Sequence, residues 1–113
     1  MKYFIQFTEE TNNNSPINQG AKFELLEASR PYFENLKKAG RVLDWGYFGI
    51  GHGLYAVCDI RNHAELHEVT ELVPARPFCR IECRPVLESG EFADVIAKVK
   101  RESLPNYDKL ARR

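Results

Sequence analysis

The sequence has little of three things: net charge, cysteine and long apolar runs. Its sixteen basic and sixteen acidic residues cancel, so bulk electrostatics attracts it neither to nucleic acid nor to a membrane surface. No apolar run approaches the length of a signal peptide or a membrane-spanning helix. The three cysteines, Cys58, Cys79 and Cys83, lack a disulfide-framework spacing, which predicts reduced thiols in a cytoplasmic protein. We therefore expect no nucleic-acid partner and no membrane partner.

The apolar content is nevertheless sufficient for a folded core. Of the 113 residues, 43% are hydrophobic and 12% are aromatic, and this length is typical of one domain. The last residues are polar. We predict a single domain over residues 1–104 and a polar C-terminal tail over residues 105–113.

A β-hairpin over residues 41–60 is the central prediction. Aromatic and β-branched residues lie on both sides of the glycine-rich stretch 49–53, which is typical of two strands joined by a turn. Alternating apolar residues predict outer strands over 2–8 and 78–86. The glycine-rich stretch opens a strand, not a helix, so we reject a phosphate-binding loop.

Three helices complete the pattern. The first is predicted after an N-cap at Ser15 and ends at Gly40, with Pro31 kinking or splitting it. Asn62 and Glu65 form the capping-box pattern of the second. Ser89 is the predicted cap of the third, whose inner apolar stripe is Phe92, Val95, Ile96 and Val99. The order βαββαβ plus a C-terminal helix predicts a ferredoxin-like α+β fold with an antiparallel sheet.

Alternation along the strands sorts side chains onto two faces of this sheet. The apolar set Cys79, Ile81 and Cys83 is expected to face the helices as core residues, as is Cys58. The opposite, open face would then carry a mixture of aromatic and charged residues, which suggests a homodimer that encloses a small-molecule pocket. The residues assigned to the open face are Phe4, Gln6, Thr8, Trp45, Tyr47, Tyr55, Val57, Asp59, Phe78, Arg80, Glu82 and Arg84.

Candidate catalytic residues follow from this sorting. Glu82 or His52 is the predicted proton carrier, and Arg80 the predicted clamp for an anion or enolate. The predicted ligand-binding residues are Trp45, Tyr47, Tyr55, Asp59 and Arg84. The simpler interpretation of the alternating Arg-Glu-Arg row, and the one we favour, is an ion-pair network at a dimer interface.

We predict no cofactor and no metal. His63 and His67 have a metal-binding spacing on one helix face, but the sequence supplies no third ligand, so a surface helix is the favoured interpretation. A haem-binding or oxygen-using barrel would require a histidine inside the cavity, and the pattern places none there.

The sequence also resembles muconolactone isomerases, a group of dimeric α+β barrels. The similarity spans about residues 21–87. The continuous matching segments are residues 55–60 and residues 65–68, and within the first of them Asp59 matches a family aspartate. The other matching residues are Arg30, Tyr32, Leu36, Gly40, Leu72, Pro74, Pro77, Phe78, Ile81, Glu82 and Pro85.

This resemblance implies a dimeric barrel that shifts a double bond in a lactone by proton removal and return. Three charged residues of the family pattern are missing, because Ala28-Ser29 replaces an Arg-Glu pair and Gly46-Tyr47 displaces an arginine. The resemblance therefore implies an isomerase-like or cyclase-like reaction on a small unsaturated or cyclic molecule that is less charged than muconolactone. The alternative is a non-catalytic ligand-binding or dimeric assembly module.

Overall fold

The structure is a computed structural model that describes residues 1–10 and 17–103. The predicted cap Ser15 and the predicted tail lie outside these residues. The strands β1 to β4 form one antiparallel sheet in the order β2-β3-β1-β4. The elements are β1 (Lys2–Glu9), α1 (Gln19–Lys38), β2 (Val42–Tyr47), β3 (Leu54–Asp59), α2 (His63–Glu71), β4 (Cys79–Val86) and α3 (Ser89–Glu102). The predicted ferredoxin-like α+β fold is confirmed.

Helix α1 is one continuous helix despite Pro31. Its N-cap is Asn18, whose side chain accepts a hydrogen bond from the Ala21 N–H at 2.8 Å. Pro31 is exposed, and the chain keeps its helical course through it, so the predicted alternative of a split helix is wrong. The helix ends at Lys38 with Ala39 as its C-cap, and the next residue, Gly40, has a positive φ of 78° that suits a residue without a Cβ.

The caps of the other two helices differ in part from their predictions. Asn62 caps α2 as predicted, because its side chain accepts a hydrogen bond from the Glu65 N–H at 2.9 Å. The Glu65 carboxylate accepts a hydrogen bond from Arg61 instead of reaching back to Asn62. The N-cap of α3 is Glu88, one residue before the predicted Ser89.

The core lies between the sheet and helices α1 and α2. Phe7 and Phe33, with ring centroids 6.0 Å apart, join β1 to α1. Tyr32 on α1 donates a hydrogen bond from its hydroxyl to the Val69 carbonyl on α2 at 2.7 Å, and burial raises the pKa of Tyr32 to about 12. Ser29, fully buried, accepts a hydrogen bond from the Ala75 N–H. These contacts hold both helices on one face of the sheet.

Face sorting by alternation is correct for three strands. Cys79 and Cys58 are buried on the helix-facing side. On the open side, Gln6 in β1 is paired with Tyr55 in β3 and with Glu82 in β4. These strands follow uninterrupted registers, so the period of two holds along their whole length.

The placement of Trp45 and Tyr47 on the open face was wrong. A β-bulge at Leu43 inserts one extra residue between Val42, which pairs with Cys58, and Asp44, which pairs with Val57. One extra residue reverses the face of every later side chain in the strand. Trp45 and Tyr47 therefore point toward α1.

Three further assignments require correction. Phe78 belongs to a 3-10 turn, Arg76–Phe78, that precedes β4, and its side chain is buried in the core. Cys83 lies on the helix-facing side, since it pairs with the buried Ile5, but it is exposed and not a core residue. No residue of α3 is buried, so its apolar stripe, including Phe92, has no core to pack against in the described chain. No described helix is both long and apolar enough to cross a bilayer.

Candidate functional site

A histidine–carboxylate pair lies at the end of the sheet where β1 meets the hairpin loop. His52 Nδ1 is 2.6 Å from Glu9 Oε2. When Nδ1–H donates to this carboxylate, the lone pair of the imidazole is on Nε2, which becomes the basic nitrogen. The Phe23 ring packs edge-on against the imidazole with centroids 4.9 Å apart. The imidazole is thus held in one orientation.

The second oxygen of Glu9 is bound by a lysine. Lys22 Nζ is 2.7 Å from Glu9 Oε1, and its side chain is only 12% exposed. The hydrogen bond from Lys22 holds the pKa of Glu9 below its usual value, and the bond to His52 acts in the same direction, while partial burial opposes both. Glu9 is therefore an ionised carboxylate that links an ammonium group to an imidazole.

A depression of about 220 Å³ opens beside this pair. Its walls combine the apolar side chains of Phe48 and Ile50 with the polar groups of Thr8, Glu9 and His52. Convergent polar groups in a partly apolar concavity are typical of small-molecule sites. We call Glu9, Lys22 and His52, with this depression, the hairpin-end site.

The charged row of β4 occupies the open face of the sheet. Arg80 Nη2 lies 3.3 Å from Glu82 Oε1, and Arg84 Nη2 lies 3.7 Å from Glu82 Oε2. The two arginine side chains are 67% and 70% exposed. Glu82 is thus bracketed by two guanidinium groups. Arg80 is paired with Thr8 across the sheet, which places this arginine beside a residue that lines the hairpin-end site.

The other predicted site residues do not form one cluster. Trp45 donates a hydrogen bond to Glu34 on α1, and the Tyr47 hydroxyl donates to the Leu26 carbonyl at 2.6 Å, so both are engaged by the helix. Asp59 lies at the opposite end of β3 from His52. Their proposed role as ligand-binding residues on a shared open face therefore loses its geometric basis.

Tyr55 does lie on the open face, in a short row of aromatic rings. It is stacked on Phe4 with centroids 6.0 Å apart and contacts Phe48 at 5.8 Å. Gly46 makes room for it, since a Cβ there would lie 2.9 Å from the Tyr55 hydroxyl. Through Phe48 this row reaches the wall of the hairpin-end site.

Sequence reasoning selected His52 and missed Glu9 and Lys22. A signal existed for both. Glu9 follows Ile5 and Phe7 at the spacing of two that marks the helix-facing side of β1. The pattern therefore predicts that the Glu9 carboxylate faces the helices. Lys22 lies four residues before the buried Leu26 on the inner face of α1. A charge on each of two facing apolar surfaces predicts an ion pair between them.

The thiols and histidines offer little further chemistry. Burial raises the pKa of Cys58 to about 12 and that of Cys79 to about 11, so neither forms a thiolate nucleophile at neutral pH. His63 and His67 are exposed on α2. Within residues 1–10 and 17–103, no group of three His, Cys, Asp or Glu side chains is placed to hold a metal ion.

The fold and the hairpin-end site define a ferredoxin-like α+β protein with a half-buried carboxylate–histidine pair. The chain belongs to the family described as a domain of unknown function, DUF3303, which matches residues 1–100. No curated protein matches the sequence. Among solved structures, a crystal structure of muconolactone isomerase is similar, with a TM-score of 0.60 and 20% sequence identity, over 78% of this chain and 90% of that chain. At this identity the likeness shows a shared fold.

Proposed function

We propose that the protein is a cofactor-independent enzyme of the isomerase type, acting on a small unsaturated or cyclic metabolite. The observation that carries the proposal is the 2.6 Å contact between His52 Nδ1 and Glu9 Oε2 beside an accessible depression. A carboxylate that orients imidazole and stabilises its protonated form is the usual support of a histidine general base. The fold shared with muconolactone isomerase is compatible with this chemistry.

In the proposed reaction, His52 Nε2 removes a proton from a carbon next to a carbonyl group. The C–H bond breaks, its electron pair forms an enolate, and Glu9 stabilises the resulting imidazolium. The same proton returns to the far carbon of the conjugated system, so the double bond moves and no electrons enter or leave. Arg80, beside Thr8, would stabilise the enolate oxygen or a carboxylate of the substrate.

The geometry favours His52 over Glu82 as the proton carrier. Both carboxylate oxygens of Glu82 are engaged in ion pairs, with Arg80 and with Arg84, whereas the contact of His52 with Glu9 engages only Nδ1. In this proposal Glu82 holds Arg80 in position. We further propose that the open face, with its row of Phe4, Tyr55 and Phe48, pairs with a second copy in a cytoplasmic homodimer that closes the depression from water.

The test uses α-angelica lactone, an uncharged lactone with a β,γ double bond, and muconolactone as the charged comparison. Proton NMR would follow migration of the double bond. We expect turnover of the uncharged lactone, with kcat/KM lowered at least about 100-fold in His52→Gln and in Glu9→Gln, since general base catalysis contributes about 10²–10⁴-fold. Glu82→Gln should lower it by less than about 10-fold.

His67→Gln is the matched control, because it removes an exposed histidine from α2 and should leave the rate unchanged. Full activity in His52→Gln would refute the role of this residue. Greater loss in Glu82→Gln than in His52→Gln would transfer the proton carrier to the β4 row.

The second candidate is a non-catalytic ligand-binding or assembly module. The mutual pairing of Arg80, Glu82 and Arg84 favours it, because such rows secure interfaces as readily as they bind ligands. Sedimentation analysis of Glu82→Gln decides this point. A dimer that dissociates in this variant, together with no turnover of either lactone by the wild type, would establish the assembly module.

A further inference from the structure

A second depression, of about 370 Å³, lies where the end of α1 meets the start of α2. Its most buried polar group is Glu65, whose side chain is 6% exposed. His52 precedes β3 and Asp59 ends it, so the two depressions are roughly 20 Å apart along the strand. The residues that line this second depression are Ala39, Gly40, Arg41, Asp59, Arg61 and Glu65.

The buried carboxylate accepts a hydrogen bond from Arg61 and forms a longer ion pair with Arg41, in both cases with the Nε atom. Arg61 Nε is 2.7 Å from Glu65 Oε2, and Arg41 Nε is 3.9 Å from Glu65 Oε1. The hydrogen bond from Arg61 and the ion-pair contact of Arg41 both use the Nε atom, at the inner side of each guanidinium. The fork of Nη donors that matches an oxyanion is therefore available on both arginines.

The backbone of Arg41 is fixed on both sides. Its N–H donates to the Leu36 carbonyl at 3.0 Å, completing the helix C-terminal motif that Gly40 makes possible. Its carbonyl accepts a hydrogen bond from the Asp59 N–H at 2.8 Å. An arginine on a rigid backbone, with a partner that orients its side chain, binds a ligand at a lower entropic cost.

The charges around the depression are close to balance. Among its lining residues, Arg41 and Arg61 face the carboxylates of Glu65 and Asp59. Asp59 also lies 3.4 Å from the Met1 ammonium group, and Glu68 interacts electrostatically with Arg61. The two arginine side chains are 38% and 77% exposed, so a ligand in solution can reach them.

We propose that this second depression binds a small monocarboxylate through the outer nitrogens of Arg41 and Arg61. The ligand's carboxylate lies across the two guanidinium forks, and Glu65 keeps these forks in place. This site is separate from the hairpin-end site and does not depend on the function proposed there. A dianion is disfavoured, because Glu65 and Asp59 oppose a second negative charge.

The experiment is a titration of the full-length ¹⁵N-labelled protein with sodium propionate that replaces sodium chloride at constant ionic strength. We expect saturable shifts of the backbone amide signals of residues 39–41 and 61, with a Kd on the order of millimolar. Arg41→Gln should raise this Kd at least about tenfold. Arg61→Lys keeps a cation beside Glu65 but loses the fork, so it should also weaken binding.

The matched control is Arg101→Gln, which removes an exposed arginine from α3 and should leave the Kd unchanged. Shifts that rise linearly without saturation would overturn the proposal, as would an unchanged Kd in both Arg41→Gln and Arg61→Lys. Titration with inorganic phosphate at pH 7.5 tests the ligand class. Tighter binding of phosphate than of propionate would overturn the assignment to a monocarboxylate.

Discussion

The two charged clusters at the sheet contain similar residues in different surroundings. In the hairpin-end site, Lys22 and Glu9 are 12% and 23% exposed and their ion pair is 2.7 Å long. In the β4 row, Arg84 is 70% exposed and lies 3.7 Å from Glu82. Water therefore screens the Arg84–Glu82 pair much more strongly than the Lys22–Glu9 pair. The two clusters therefore differ in how far they are enclosed, more than in the identity of their charged residues.

The largest expected difference between the two clusters is in the reactivity of the cysteine beside each of them. Cys79 is paired with Glu9, beside the enclosed cluster, whereas Cys83 is exposed beside the β4 row. Burial raises the pKa of Cys79 to about 11, so only about one in a thousand of these thiols is ionised at pH 8. Iodoacetamide should alkylate Cys83 at least about 100-fold faster than Cys79, measured by peptide mass spectrometry.

Unfolding in urea is the control for this experiment, since both thiols should then react at similar rates. Equal rates in the folded protein would mean that the β1–β4 edge opens as readily as the exposed surface, and the contrast between the two clusters would fail.

The free energy of unfolding should also differ between the two clusters, with a smaller effect than the difference in thiol reactivity. Lys22→Met keeps the apolar stem of the side chain and removes the ammonium group from Glu9, so we expect a loss of about 1.5–3 kcal/mol in the free energy of unfolding. Arg84→Met removes an exposed partner of Glu82 and should change the free energy by less than about 0.5 kcal/mol. Urea denaturation of both variants measures the difference. Equal losses would contradict the comparison.

Lowering the pH should remove part of the stabilisation that Lys22 gives to the folded protein. The pKa of Glu9 is lowered in the folded protein, chiefly by the hydrogen bond from Lys22. A lowered carboxyl pKa stabilises the fold at pH values above the unfolded pKa, about 4.3, and this stabilisation is lost as the pH falls through the folded pKa. The difference between wild type and Lys22→Met should therefore be constant near pH 7 and shrink below about pH 4.5.

Glu9→Gln provides the control, because it carries no carboxyl group at this position. In that background the effect of Lys22→Met should not vary over the same acid range. A difference that grows as the pH falls would show that the ion pair is not its source.

Much of the fold follows from the sequence because most elements obey one simple period. Strands β1, β3 and β4 alternate without interruption, so the faces of Tyr55 and Glu82 were predicted correctly. The prediction failed where a local feature broke the period. The bulge at Leu43 reversed Trp45 and Tyr47, and a short 3-10 turn carried Phe78 into the core.

The candidate site was less predictable because its parts are distant in the chain. Glu9 and His52 are separated by 43 positions, and no local pattern states that the end of β1 meets the hairpin loop. The residue type alone pointed to His52. Asp59 and His52, both selected as site residues, prove to lie at opposite ends of β3, because alternation specifies a face of the sheet and leaves the position along the strand open.

The bulge at Leu43 has a consequence for comparing this chain with its relatives. In a relative that lacks the extra residue, an alignment without a gap would equate inward-facing positions with outward-facing ones from residue 44 to residue 47. Column by column, such an alignment would compare core residues with surface residues. A single gap at Leu43 restores the correspondence, so the most informative column of the hairpin is the one in which those relatives have no residue.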